Sequence, residues 1–136
     1  MTDAIDTKSS RYLIGVDVGT GSARAGLFDL GGRMLAVAKR DITLFRGAGS
    51  FVEQSSSEIW SAVCAVIREA IDAAGIEPGA VIGLGFDATC SLVVLGEGGR
   101  PLAVGSSEDQ NRDIIVWMDH RAVDQAERIN ELGHDV

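Results

Sequence analysis

The apolar run Tyr12–Val18 stops on Gly19-Thr20-Gly21-Ser22 and resumes at once as Ala23–Leu30. Short runs rich in Val, Ile, Leu and Ala and bounded by Gly and Ser read as strands. A connection this tight can only join them antiparallel, because a parallel return needs a long crossover. Leu30-Gly31-Gly32-Arg33 is a second hairpin turn signal, and Met34–Thr43 reads as a third strand. The chain therefore opens as an antiparallel meander.

Beyond the meander the apolar period changes. Residues 44–57 read as a loop, with Ser55, Ser56 or Ser57 able to cap a helix by accepting a free N–H of its first turn. In Glu58–Ala74 the apolar residues Ile59, Val63, Val66, Ile67, Ala70, Ile71 and Ala74 recur at helical spacing and leave Arg68, Glu69 and Asp72 outside. Gly75 is the expected left-handed stop, with Pro78 beyond it. Ala80–Phe86 is again a short apolar strand, running into Asp87. After a helix, such a strand can return parallel to the first through a right-handed crossover. Ser91–Leu95 and Pro101–Val104 flank Gly98-Gly99 as a further hairpin candidate. Residues 105–113 read as a polar loop and Ile114–Trp117 as a short apolar run. From Ala122, the residues Ala122, Ala126, Ile129 and Leu132 share a helical face that Gly133 ends. The expectation is α/β: a mixed sheet with flanking helices.

Charge and composition exclude some functions. The formal net charge is -8, which argues against nucleic acid or an anionic membrane as partner, since both need a cationic footprint. Cys64 and Cys90 are two isolated thiols and make neither a disulfide framework nor a zinc site. With no secretory signal pattern, the expected compartment is the reducing cytoplasm.

The chemistry concentrates at three places. The first is Asp17-Val18-Gly19-Thr20-Gly21-Ser22-Ala23-Arg24. Glycines let backbone N–H groups approach an anion, successive turn amides can form an anion-binding nest, and Thr20 and Ser22 add hydroxyl donors. Asp17 would repel a phosphate unless a cation stood between, so it implies Mg²⁺ held through water. Arg24 can neutralise a phosphate oxygen. The stretch matches neither G-x-x-x-x-G-K-[ST] nor G-x-G-x-x-G, and it leads into a strand where a dinucleotide fold needs a helix. An ordinary hairpin, with glycines serving only the turn, is the alternative. The second place is Asp87-Ala88-Thr89-Cys90 at a strand end, where Asp87 is either a ligand group or an Asx cap for the amides of Thr89 and Cys90. The third is Trp117-Met118-Asp119-His120-Arg121. A polyol is held by bidentate charged donors and acceptors, with an apolar ring over its C–H face, and Asp, Arg and Trp supply these. The alternative is a core Trp117 followed by a helix that Asp119 caps. His120 is the weakest of the set and is not assigned as a base.

DVGTGSARAGLFD (Asp17 to Asp29) resembles the first phosphate motif of the FGGY carbohydrate kinases, of the actin-like and hexokinase-like ATPase (ribonuclease H-like) fold. GFDATCSLV (Gly85 to Val93) is similar to the segment after that family's fourth strand, and WMDHRA (Trp117 to Ala122) to its sugar-contact motif. The Asp-Ala-Thr and Trp-x-Asp-His-Arg-Ala forms lean towards ribulokinase-like pentulose kinases, D-ribulose first. The resemblance covers residues 11–136, after a disordered tail at 1–10, and implies an incomplete first domain.

By that resemblance the cofactors are ATP and Mg²⁺. Asp17 has a metal–nucleotide role, and Thr20, Gly21, Ser22 and Arg24 contact the phosphates; the family often has a hydroxyl residue where Gly21 stands. Asp87, Thr89 and Cys90 lie near the sugar, and Trp117, Asp119, His120 and Arg121 form one wall of its site. The carboxylate that takes the hydroxyl proton lies downstream, so the isolated chain is expected to be inactive. The implied partner is a small sugar substrate, with self-association through an open sheet edge. Other acceptors (xylulose, ribitol, glycerol) and a non-catalytic actin-like nucleotide-binding module are the competing readings.

Overall fold

The computed structural model describes residues 10–105, 107 and 109–133. The expected tail at 1–10 lies outside the described residues except for Ser10. The chain divides into two compact units, the first Met1–Ile42 with Glu58–Thr89 and the second Thr43–Ser57 with Cys90–Val136.

The first unit is the meander and its return strand. β1 (Tyr12–Val18), β2 (Ser22–Asp29) and β3 (Met34–Asp41) pair antiparallel, and β6 (Val81–Ala88) lies parallel to β1, giving the order β3-β2-β1-β6. Alternation along β1 buries Ile14 and Val16 and exposes Leu13 and Gly15. The buried side chains, with Ala23, Ala25 and Leu27 of β2, form one core with Val63, Val66 and Ala70 of α1 (Ser56–Ala74). Those helical positions follow the three-and-four spacing read from the sequence, so one stripe of α1 covers one sheet face. Arg40 of β3 adds a surface tie, its Nη2 2.6 Å from Glu69 Oε1. At the helix end Gly75 has φ 65, the Ile76 N–H donates to the Ile71 carbonyl at 3.4 Å and the Gly75 N–H to that of Asp72 at 3.1 Å. Those two bonds are a Schellman closure, which a residue with a Cβ would strain.

The far side of this sheet is different. Leu13, Met34 and Val37 are exposed, and the Phe28 ring lies so close over Gly26 that a Cβ there would meet it at 2.8 Å. Asp29, the last residue of the DVGTGSARAGLFD run, stands at the end of β2 away from Arg24. Its carboxylate accepts from the Gly31 and Arg33 amides, each at 3.0 Å, and pairs with Arg33, so it organises the β2–β3 turn. The Arg33 amide is the main reason its ionisation is shifted downward.

The second unit corrects the reading of residues 44–57 as loop. β4 (Phe45–Arg46) and β5 (Val52–Gln54) lie there, and a second sheet runs β4-β5-β8-β7, with β7 at Leu92–Val93 and β8 at Ile114–Ile115. β5 is central, and Val52, Glu53 and Gln54 are all buried. The second hairpin candidate survives in part: the chain turns at Gly98 and Gly99, with φ 68 and 74, and Leu95 bridges Pro101, but β7 pairs with β8. Asp113, fully buried, accepts from the Ser56 N–H at 2.8 Å and the Ser56 hydroxyl at 2.5 Å, fixing the residue where α1 begins. α2 (Val123–Glu131) ends before Gly133, φ 68, and buries none of its residues. Among the described residues no helix is long and apolar enough to cross a membrane.

Candidate functional site

In the first unit the β1–β2 connection is closed by the Gly19 N–H, which donates to the Ser22 carbonyl at 2.9 Å. The Gly21 carbonyl accepts from Ile42 N–H at 3.1 Å, and the Thr89 N–H donates to the Val18 carbonyl at 3.1 Å, so the turn is braced from both sides. Neither Gly19 nor Gly21 needs a positive φ. Gly19 provides room: a Cβ there would lie 2.8 Å from Arg24 Nη2. A Cβ on Gly21 would meet nothing within 4 Å, so the space above it is open. Thr20 is half-buried and Ser22 is buried.

Strand register sets the charges. Asp17 stands opposite Arg24 on β2 and opposite Asp87 on β6. Arg24 Nη2 lies 2.9 Å from Asp17 Oδ2, with both side chains half-exposed. Asp17, Arg24 and Asp87 line one open groove on the uncovered sheet face, with Gly15, Gly26 and Gly85 as its floor. Thr89 gives its amide to Val18, which removes half of the Asx-cap reading of Asp87. Among the described residues no three His, Cys, Asp or Glu side chains gather closely enough to hold a metal ion by themselves. One or two carboxylates are what Mg²⁺ asks of a protein when water and phosphate oxygens complete its octahedron, so Asp17 and Asp87 fit that ion.

The second unit holds the other set. Trp117 is 55% exposed, which rules out the core reading, and its N–H donates to the Ser91 hydroxyl at 3.2 Å. Cys90 and His120 are exposed, and the His120 N–H donates to the Ser50 carbonyl at 3.3 Å. Asp119 does not cap α2, whose first turn has no side-chain cap at Ala122. Its side chain is wholly out of solvent. One carboxylate oxygen accepts from Arg121 N–H at 2.8 Å and Arg121 Nε at 2.9 Å; the other accepts from Val52 N–H and Arg121 Nη2, each at 2.7 Å. Four bonds use the carboxylate's acceptor positions. They hold its ionisation down to about 2, the Arg121 side chain contributing most and the Val52 amide next, against the cost of burial.

Arg121 is equally engaged. Beyond Asp119, its Nη1 donates to the Val104 carbonyl at 2.9 Å and its Nη2 to Glu53 Oε1 at 3.0 Å, while its guanidinium lies 4.2 Å over the Phe51 ring. Asp119 first and Glu53 second raise its ionisation further. Of the expected polar wall, Trp117 and His120 thus face outward, while Asp119 and Arg121 direct their bonds inward. Glu53, Phe51 and Ser91 were not singled out from the sequence. A buried acid in Val-Glu-Gln has the look of a loop, and only strand pairing distinguishes it.

A model for the FGGY family of carbohydrate kinases, N-terminal domain, matches residues 12–135. The chain is 48% identical over 131 residues to an FGGY carbohydrate kinase domain-containing protein of Homo sapiens, covering 96% of this chain and 23% of that one. It is 47% identical over 128 residues to a D-ribulokinase of Saccharomyces cerevisiae, covering 91% and 18%. Among solved structures, a gluconate kinase from Lactobacillus acidophilus superposes with a TM-score of 0.79 at 24% identity, over 92% of this chain and 23% of that one. The chain therefore spans about a fifth of the length of these relatives.

Proposed function

Because the chain belongs to the FGGY family of carbohydrate kinases, we propose that it is the opening segment of a pentulose kinase that transfers a phosphoryl group from ATP to a sugar hydroxyl, D-ribulose first among the acceptors. Residues 11–136 form the first part of the kinase's N-terminal domain. FGGY kinases use ATP. The turn from Thr20 to Ser22 holds its phosphates through amides and hydroxyls, and Arg24 supplies a cation. The Arg24–Asp17 pair is half-exposed on both sides, and an ion pair of that kind is weak enough for a phosphate to compete for the arginine. Mg²⁺, when bound, neutralises developing charge on the phosphates; Asp17, with Asp87 beside it, is positioned to hold that ion through water. In the second unit Trp117 covers the apolar face of the sugar, with Cys90 and His120 near its hydroxyls and Asp119 and Arg121 behind them; Asp87 and Thr89 keep the sugar-binding role that the family resemblance gives them. The carboxylate that accepts the hydroxyl proton belongs to a part of the kinase beyond this segment.

The observation that carries this reading is the grouping of Asp17, Arg24 and Asp87 around one groove beside an open glycine turn. The D-ribulokinase relative supports the choice of acceptor. The test is ADP release with ATP, Mg²⁺ and a panel of ribulose, xylulose, ribitol and glycerol, using a kinase-length polypeptide that carries this segment. Turnover strongest with D-ribulose supports the proposal. Nucleotide binding with no acceptor-dependent turnover favours the non-catalytic module, and a preference for glycerol overturns the pentulose assignment.

A further inference from the structure

We infer that Glu53 is a positioning residue: through Arg121 it fixes the Trp117–His120 turn, and its own carboxylate stays away from the ligand. The inference rests on Trp117 facing the sugar. Glu53 is on the central strand β5 and only 6% exposed. A buried carboxylate is costly unless paired, and Arg121 Nη2 at 3.0 Å is its partner. Arg121 is in turn held by Asp119, which closes on the Val52 amide of β5 itself. The bonds run from β5 through Arg121 and Asp119 and back to β5, with the Phe51 ring under the guanidinium.

Trp117 lies inside that loop of bonds. The turn carrying it is closed by the Asp119 N–H donating to the Val116 carbonyl at 2.8 Å, and the Val116 N–H donates to the Val52 carbonyl at 3.0 Å. Both ends of the turn are thus pinned to Val52, one through Val116 and one through the Asp119 carboxylate that Arg121 orients.

A second, independent observation concerns Gly105. Its φ is not in the left-handed region, so the backbone does not require glycine there. A Cβ at that position would instead collide with the Glu53 carboxylate. Gly105 makes room for the acid, which is what a built support needs and what a solvent-facing glutamate would not. Two carboxylates share one guanidinium here, a planar fork that lysine cannot reproduce.

The test uses the chain in a Trp60→Phe background, which leaves Trp117 as its one tryptophan. Time-resolved anisotropy then reads the local motion of Trp117 without any substrate. Glu53→Ala and Arg121→Lys are each expected to increase the amplitude of that motion. Glu53→Gln, which keeps an acceptor for Arg121 Nη2, returns it to the parent value. In the kinase-length polypeptide, Glu53→Ala raises the KM for D-ribulose about tenfold or more, as small misplacements of a binding wall do, with the KM for ATP unchanged. A folded Glu53→Ala protein with parental Trp117 anisotropy overturns the inference. Should that variant not fold, parental anisotropy in Arg121→Lys overturns it alone. If the parent kinase phosphorylates no sugar, the functional assignment fails while the anisotropy result still decides the role of Glu53.

Discussion

Replacing Asp119 by Asn tests how the second unit is held together. The carboxylate has no solvent contact, accepts four hydrogen bonds, and ionises at about 2 where the ordinary value is 3.8. A depressed carboxylate stabilises the fold above its unfolded value and loses that contribution as pH falls through the folded one. The shift corresponds to about 2 kcal/mol at pH 7, falls to about 1 kcal/mol near pH 3, and is nearly gone by about pH 2. Asn keeps the shape and an acceptor but never ionises. The stability difference between parent and Asp119→Asn should therefore be largest near neutrality and shrink by about 2 kcal/mol towards about pH 2. Any cost of the amide facing Arg121 adds a pH-independent offset. Urea unfolding of both proteins across that range, followed by circular dichroism, measures the difference directly. A difference that stays constant with pH would refute the claim that charge, and not shape, holds the turn.

The first unit supplies two more expected outcomes. Leu27 is fully buried on β2, so Leu27→Ala should cost about 2–5 kcal/mol, read as a lower urea midpoint. The uncovered sheet face, with Val37 59% exposed, should make the chain associate, and Val37→Lys should reduce the oligomer fraction in light scattering; a monodisperse parent monomer would count against this.

The meander was legible in sequence because each of its strands is a run of seven or eight residues rich in apolar side chains and each turn carries glycine. α1 was legible for the same reason: nineteen residues display a stripe clearly, and Gly75 marks its end. β4 and β5 were not, because two and three residues are too few to show a period. Glu53, Gln54 and Ser55 compounded this, since a polar run reads as solvated whenever its partners are distant in sequence. Glu53 meets Arg121 across 68 positions, a separation that no local pattern encodes. The same limit applies at Trp117–Arg121. The residue types pointed to a polar wall, but which of them turn outward depends on Val52 and Val104. At Asp17 the register with Arg24 and Asp87 was half legible: the hairpin placed Arg24, while Asp87 needed the parallel return of β6.

The most direct test of the account compares the kinase-length polypeptide with its Asp17→Asn variant in ADP release with saturating D-ribulose and Mg²⁺. With Asp17 holding the metal beside the phosphates, kcat should fall about 100-fold or more while the KM for the sugar stays within about twofold. An Asp17→Asn enzyme with parental kcat, or one whose loss appears in the sugar KM alone, would contradict the phosphate role assigned to the turn.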